Sequence, residues 1–419
     1  MARIAVAVSG GVDSLCALCR LREQGHELLA LHGLFLPPVD ASTTAGGALP
    51  PGGLPLSAEE DAPRLWHVPT TADGPRVPLA PAMPASLSGD GAAAISPALP
   101  GLSEACRHLG VPLYLLDARE RFSRAVIRPF VRAYAQGRTP NPCALCNASV
   151  KFGVLREAAH RLSAERLATG HYARCAVHPA TGQHLLVPAA DEQKDQAYFL
   201  ALVPSEALRH ALFPLAGLTK QDCRAIVAAA GLTVPLPAES QEICFIPAGE
   251  DAYRDFLRRH WAADGISPPP GGPVLLRTPD GERPLARHDG LWRYTEGQRR
   301  GLGIAHSEPL YVLGKDLARQ ALLVGGRAQL AVRGCHTGPA NCFLPPAAVK
   351  PLFDAPLFVR LRYRQRPVPA EVRLQPDGCL HIRLDEAQAP HFPSAPGQIA
   401  AVYDAEGRLL AGAVIDTVF

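Results

Sequence analysis

The run Arg3–Val8 (RIAVAV) is followed directly by SGGVDS and then by LCALCRLREQG. A short β-branched run, a glycine-rich turn and a helical pattern closed by Gly25 read as strand, loop and helix. No other stretch constrains the fold as strongly. Ser9, Gly10 and Gly11 can bend successive amides into a nest, and the helix starting near Val12 and Asp13 adds its positive end. Such a turn suits a phosphate. It lacks the lysine of GxxxxGK[ST] and the spacing of GxGxxG, so neither of those phosphate loops applies. The plain alternative is a glycine-rich βα turn with no ligand.

Further along, Glu27–His32 (ELLALH) reads as a strand, Ser103–Leu109 as a helix and Pro112–Leu116 as a strand. Helices are expected over 120–136 and 149–163, and Glu165–Ala168 leads into TGHYAR. Strands alternating with helices predict an α/β fold, a parallel, doubly wound sheet of Rossmann type. Half of residues 37–100 are Pro, Ala or Gly. With no surviving period, this stretch reads as a disordered insertion that could be deleted over 40–98 without loss of activity, the alternative being a small lid in which Leu65, Trp66 and Val68 dock. Beyond a helix at 251–261, short apolar runs alternate with Gly/Pro turns, which predicts small β domains, one of them barrel-like.

The formal net charge is +3, which excludes a polybasic protein but not a local basic groove. No stretch of 18 uncharged apolar residues is found and no secretory signal is read, so no membrane association and a cytoplasmic location are expected. The eleven cysteines are odd in number and the chain is long, which argues for reduced thiols rather than a disulfide scaffold. Cys16 and Cys19 lie on the first helix and are expected to face the sheet. Cys143 and Cys146 form a second C-x-x-C, in the Pro-rich segment GRTPNPCALCN, and Cys244 follows in SQEICF. A zinc site at Cys143 and Cys146 would need more ligands, with His171 a candidate by type only. Cys106, Cys175, Cys223, Cys335, Cys342 and Cys379 are isolated and read as structural. Arg360, Arg362, Arg364 and Arg366 alternate, and in a strand would share one face.

The loop SGGVDS resembles that of the PP-loop ATP pyrophosphatases. The ordered motifs PNPxxxCN, ATGHYAR, KDQAYFL, ESQEICFI, EGQRRGLGI, RYR and PGQ resemble those of the tRNA-specific 2-thiouridylase family, over nearly all the chain except 37–100. The resemblance implies a PP-loop catalytic domain over about 1–250, a small central tRNA-binding domain over about 251–325 and a β-barrel-like tRNA-binding domain over about 326–419. It implies ATP with Mg²⁺ at Ser9, Gly10, Gly11, Val12, Asp13 and Ser14, with Leu31 and Gly170 also at the nucleotide. It places Asn141, Pro142 and Cys143 at the target base, and His171, Lys194, Asp195, Gln196, Arg362, Tyr363 and Gln398 at tRNA. The implied reaction adenylates the C2 oxygen of the wobble uridine and then exchanges it for sulfur.

Two sulfur routes follow from the resemblance. In one, Cys244 carries a persulfide and Cys146 resolves it as a disulfide. In the other, Cys143, Cys146 and Cys244 hold three corners of a 4Fe–4S cluster whose open iron presents sulfide. The second is preferred because Cys143 stands where many members of the family carry Asp. A cysteine desulfurase or a sulfur carrier would supply the sulfur, and a monomer is expected. The rivals are a PP-loop thiolase for another tRNA base, a PP-loop ligase or amidotransferase for a small molecule, and a tRNA-binding protein without activity.

Overall fold

The computed structural model describes residues 1–36, 54–55, 63–69, 79–83, 90–236, 243–246, 249, 251–385 and 393–419. The chain divides into two compact units, Met1–Val126 with Leu145–Gln241, and Ile127–Ala144 with Glu242–Phe419.

The first unit is built on a seven-stranded sheet in the order β3-β4-β5-β2-β1-β6-β9. Its strands are β1 (Arg3–Ala7), β2 (Glu27–Leu34), β3 (Leu54–Pro55), β4 (Arg64–Val68), β5 (Leu113–Asp117), β6 (Arg166–Ala168) and β9 (Ala211–Leu212). An antiparallel hairpin outside this sheet joins β7 (Arg174–Val177) to β8 (His184–Val187). β1 pairs in parallel with β2 on one side and β6 on the other. A strand enclosed on both edges and both faces needs continuous apolar residues, which RIAVA supplies. Alternate side chains feed two cores. Ile4, Val6, Leu113 and Leu115 pack with Leu15, Cys16 and Cys19 of the Val12–Glu23 helix. Ala5, Leu29, Tyr114 and Leu116 pack on the other face with Leu155 and Ala158. The two cysteines of the first helix therefore face the core as expected.

The insertion requires correction. Arg64–Val68 forms β4, antiparallel to β5, with Leu65 and Trp66 buried on opposite faces of the sheet. Asp90–Ile95 and Leu99–Leu109 are helices. Parts of 37–100 thus complete the sheet. The rest of that stretch lies outside the described residues.

The second unit gathers the Arg128–Ala135 and Ala252–Ala263 helices, joined by a hydrogen bond from Trp261 Nε1 to the Val131 carbonyl (3.1 Å). A four-stranded sheet has the order β11 (Gly281–His288), β10 (Gly272–Thr278), β13 (Ala321–Gly325), β12 (Tyr311–Asp316). Six further strands close a barrel: β14 (Gly334–Pro339), β18 (Cys379–Leu384), β17 (Val368–Leu374), β16 (Leu357–Arg360), β19 (Ile399–Tyr403) and β20 (Leu409–Val418). The pairing of β20 with β14 closes the ring, and β15 (Asn341–Cys342) adds to β20.

The arginine row is a second correction. β16 ends at Arg360, and the chain then turns, with Arg364 in the left-handed region at φ 63°. Leu361 N–H donates to Gln365 Oε1 (2.9 Å), and the Ser394 hydroxyl to the Leu361 carbonyl (2.7 Å). Arg362, Arg364 and Arg366 are exposed on this turn rather than aligned on a strand face. The Arg364 guanidinium lies over the Tyr363 ring.

Because Trp66 fills the sheet core, Trp66→Ala should lower the unfolding free energy by about 3–5 kcal/mol. Urea titration with far-UV detection checks this, and an unchanged midpoint would return β4 to the status of a dispensable insertion.

Candidate functional site

In the first unit the SGGVDS loop leaves β1 and enters the Val12–Glu23 helix through Gly11 in extended conformation. Gly10 has φ 89°, and a Cβ there would lie 2.8 Å from the Ala98 Cβ. Both the turn and its packing therefore demand glycine. Ser14 ties the loop shut. Its hydroxyl donates to the Gly11 carbonyl (2.9 Å) and accepts from Ser9 N–H (3.1 Å), while Ser9 Oγ lies 3.3 Å away. No side chain caps this helix. Its first amides keep the character of an anion site.

Asp13, in the first helical turn, is the focus of the site's charge. Lys220 Nζ donates to both of its carboxylate oxygens (2.8 and 2.9 Å), and the Tyr172 hydroxyl to Oδ1 (2.9 Å). Lys220 is fixed by its place in the first turn of the Lys220–Ala229 helix. Thr219 and Asp222 form a reciprocal capping box there. Cys223, one turn further, lies 3.3 Å from the Tyr172 hydroxyl. Hydrogen bonding from Cys16, the largest influence, pulls its thiol down to about 7 against the opposing effect of burial. Neither Lys220 nor Cys223 was found from sequence. The T-x-x-D capping box marks the helix start, but nothing local says that this helix meets the nucleotide loop.

The segment Thr169–Tyr172 closes on the same loop. A Cβ on Gly170 would sit 2.9 Å from Asp13 C and Ser14 N, so only glycine permits this approach. His171 is buried, with both ring nitrogens engaged. Asn147 Nδ2 donates to the Phe199 carbonyl (2.9 Å), which turns its Oδ1 toward the ring. Nε2 lies 3.1 Å from Asn147 Oδ1 and 3.3 Å from the Lys151 ammonium, and Nδ1 lies 2.7 Å from the Thr169 hydroxyl. Burial, reinforced by the Lys151 ammonium, holds His171 well below the usual imidazole range.

His32 is likewise buried. Its Nδ1–H donates to the Val8 carbonyl (2.8 Å), Nε2 accepts from the Ser96 hydroxyl (3.0 Å), and burial lowers its pKa. Leu31, expected at the nucleotide, is fully buried, and its carbonyl accepts from Val8 N–H (3.0 Å).

Lys194, Asp195 and Gln196 do not form the exposed polar loop that composition suggests. Asp195 is buried and accepts from Ala189 N–H (3.1 Å) and Ala197 N–H (3.2 Å). Gln196 Oε1 accepts from Tyr172 N–H (3.0 Å), and its own N–H donates to the Tyr172 carbonyl (2.8 Å). The pair braces the His171–Tyr172 turn. Lys194 is half-buried beside them.

One short helix, Pro142–Cys146, carries both Cys143 and Cys146. Asn141 and Pro142 explain its start. Asn141 Oδ1 accepts from Ala144 N–H (3.2 Å), an N-cap, and proline suits the first helical position. Cys143 is exposed and Cys146 partly so. In the second unit, Cys244 is exposed, and its neighbour Phe245 packs edge-on against Phe130 (5.1 Å between centroids) and against Phe256 (5.4 Å). Among the described residues, no group of three or more His, Cys, Asp or Glu side chains is arranged to hold a metal ion. Also in this unit, Gln398 Nε2 donates to the Thr139 carbonyl (2.8 Å), so this amide is engaged by the protein itself. Arg362 and Tyr363 lie on the exposed turn after β16.

Three family descriptions match the chain in order. They are the tRNA methyl transferase HUP domain over residues 88–248, the tRNA methyl transferase PRC-barrel domain over 269–326, and the aminomethyltransferase beta-barrel domain over 351–415. The chain is 45% identical over 418 residues to the tRNA-specific 2-thiouridylase MnmA of Oleidesulfovibrio alaskensis, covering 99% of both proteins. It is 44% identical to the protein of the same name from Nitratidesulfovibrio vulgaris, covering 99% of both. With that of Lawsonia intracellularis it shares 39% identity over 98% of both.

Two outcomes follow from this geometry. Lys220→Met removes a charge-assisted pair worth about 1.5–3 kcal/mol, so affinity for a non-hydrolysable ATP analogue should fall roughly 10- to 100-fold. Unchanged affinity in a calorimetric titration would exclude Lys220 from the nucleotide site. Buried His32 and His171 are neutral when folded but titrate near ~6.5 when unfolded. Their stabilisation is complete above that pH and is lost as pH falls toward their lowered folded values, by up to about 1.4 kcal/mol per pH unit for each histidine. The urea midpoint should therefore drop between about pH 7.5 and 5, and less steeply in His171→Gln. An equal slope in that variant would contradict the neutral assignment.

Proposed function

The chain belongs to the tRNA-specific 2-thiouridylase family, and on that premise we propose how its residues divide the work. The protein is a tRNA-uridine 2-sulfurtransferase that uses ATP to replace the C2 oxygen of the wobble uridine of tRNA with sulfur. The roles given below to individual residues are our reading.

Ser9–Ser14 cradle the ATP phosphates on the open amides of the Val12–Glu23 helix, with Leu31 and Gly170 lining the nucleotide. Ser9, Asp13 and Ser14 offer the hard oxygen donors that Mg²⁺ takes together with phosphates. Asp13 would hold the ion, which would neutralise charge on the departing pyrophosphate. Lys220, already beside Asp13, adds a fixed positive charge at the same place. The uridine O2 attacks the α-phosphate and pyrophosphate leaves, so that AMP becomes the next leaving group. Asn141, Pro142 and Cys143 meet the extruded base, an arrangement the N-capped helix start keeps rigid. Arg362, exposed on its turn, and the partly buried Tyr363 contact tRNA. The buried Asp195 and His171, with the partly buried Gln196, act through the loop they brace.

For sulfur, the observation that carries our reading is the exposure of Cys244 together with the partial exposure of Cys146, thiols open to a sulfur donor and to a reductant. On this reading sulfur travels by the persulfide route. The terminal sulfur of a Cys244 persulfide attacks C2 and AMP departs. The Cys146 thiolate then attacks the Cys244 sulfur, the sulfur–sulfur bond to the base breaks, and 2-thiouridine is released with a Cys146–Cys244 disulfide left behind. A dithiol reductant resets the pair, and a cysteine desulfurase or a carrier downstream of it reloads Cys244. No described helix is long and apolar enough to cross a membrane. A cytoplasmic monomer suits a tRNA-modifying enzyme with these thiols.

Single-turnover thiolation of unmodified tRNA by metal-free protein tests the reading. Cys244→Ser and Cys146→Ser should each lose about 1,000-fold or more, whereas Cys143→Ala should keep activity within about 10-fold. Iron that co-purifies in proportion to activity and disappears with Cys143→Ala would replace the persulfide with a cluster.

A further inference from the structure

The peptide that leads into the base-contacting loop is gripped from two sides within the second unit. Lys315, on β12, donates from Nζ to the Gly137 carbonyl (2.8 Å). Its ammonium pairs with Glu296 at 3.6 Å, and both side chains are at most 5% exposed. Burial alone pushes the Glu296 carboxyl up and the Lys315 ammonium down, and each is partly restored by the other. On the second side, Thr139 N–H donates to the Pro396 carbonyl (2.8 Å). Gln398 Nε2 donates back to the Thr139 carbonyl (2.8 Å) and reaches the Pro140 carbonyl at 3.4 Å. Gly397 has φ 97°, and a Cβ there would stand 2.9 Å from the Thr139 carbonyl carbon and oxygen. Nothing bulkier could let the two backbones approach so closely.

A buried ion pair is a poor device for stability, because its desolvation offsets most of its attraction. This one delivers something an apolar pair could not, a charged donor aimed at one backbone carbonyl two residues before Thr139. The carbonyls of Gly137, Thr139 and Pro140 are thus held by side chains from the small sheet and from the barrel. The next three residues are Asn141, Pro142 and Cys143. Their geometry is rigid beyond this point, since Asn141 caps the helix that Pro142 begins.

We propose that Glu296, Lys315 and Gln398 are positioning residues that fix the Gly137–Pro140 peptide and so set the placement of Asn141–Cys143 against the target uridine. The inference rests on the reading that Asn141–Cys143 meets the base. The two β domains then do more than hold the tRNA body. They also carry the support of the loop at which the base is worked on. Gln398, which the family resemblance assigns to tRNA, acts here through the protein backbone.

The test separates positioning from tRNA binding and from stability. The double variant Glu296→Gln with Lys315→Met keeps side-chain volume and removes the directed charge. Gln398→Leu removes the second grip. Each should retain the wild-type melting temperature within a few degrees and the tRNA KM within about twofold, while kcat for thiolation falls roughly 30- to 100-fold, as expected for misplacement by about 1 Å. Lys315→Arg, which keeps the charge and donor, should recover most of that loss. Wild-type kcat in both variants would overturn the proposal, and so would parallel loss of kcat, tRNA affinity and melting temperature, which marks a purely structural role. Asn141→Ala serves as the control for the underlying reading. If it leaves kcat intact, the loop does not meet the base and both readings fall. If it lowers kcat while the clamp variants do not, only the clamp falls.

Discussion

The first unit is organised around the carboxylate of Asp13. It sits in the first turn of a helix whose amide dipoles favour negative charge. One lysine and one tyrosine from two other segments converge on it. That convergence ties the glycine-rich loop, the Thr169–Tyr172 segment and the Lys220–Ala229 helix into one construction. Gly170 is forced by the same demand, since the segment must pass within van der Waals contact of the helix start to bring Tyr172 to the carboxylate. The core beneath supplies rigidity, while the charge selects which loops meet.

Polar groups elsewhere in this unit follow the same economy. His171 and Asp195 are buried and Gln196 partly so, and each meets neighbouring backbone or side-chain partners. Composition alone reads the KDQ run as a solvated loop, whereas Asp195 meets the nearby amides of Ala189 and Ala197 and Gln196 meets the more distant Tyr172. Burial of such groups costs little, since each lost water contact is replaced.

The legible parts of the fold were those with local causes. The SGGVDS turn, the apolar β1 strand and the inward cysteines of the first helix all depend on neighbours within a few residues, whereas the Pro-rich segment before Cys143, which reads as a loop, opens a short helix. The illegible parts depend on distant pairing. β4 is five residues set in a Pro/Ala/Gly-rich stretch, so composition averaged over the window concealed it, and only β5 makes Trp66 a core residue. The alternating arginines failed for a related reason. Period two implies a strand only if the backbone stays extended, and the left-handed Arg364 with the Gln365 side-chain bond breaks it. Lys220 and Cys223 were hidden because their significance is defined by Asp13, some two hundred residues earlier in the chain.

The closed ring of six strands in the second unit has a different kind of consequence. A ring has no terminal strand, so it offers no row of unpaired amides for another chain to extend. Its register is also shared: slipping one strand by a single residue would invert its inward and outward faces and misalign both neighbours. Evolutionary drift in length is thereby channelled into the turns between strands, while the strands themselves can change residue type but not residue number. Through Pro396 and Gln398, immediately before β19, the peptide at Thr139 inherits that invariance. The spacing between the barrel and the loop it holds is thus insulated from insertions and deletions that the barrel's outer turns absorb.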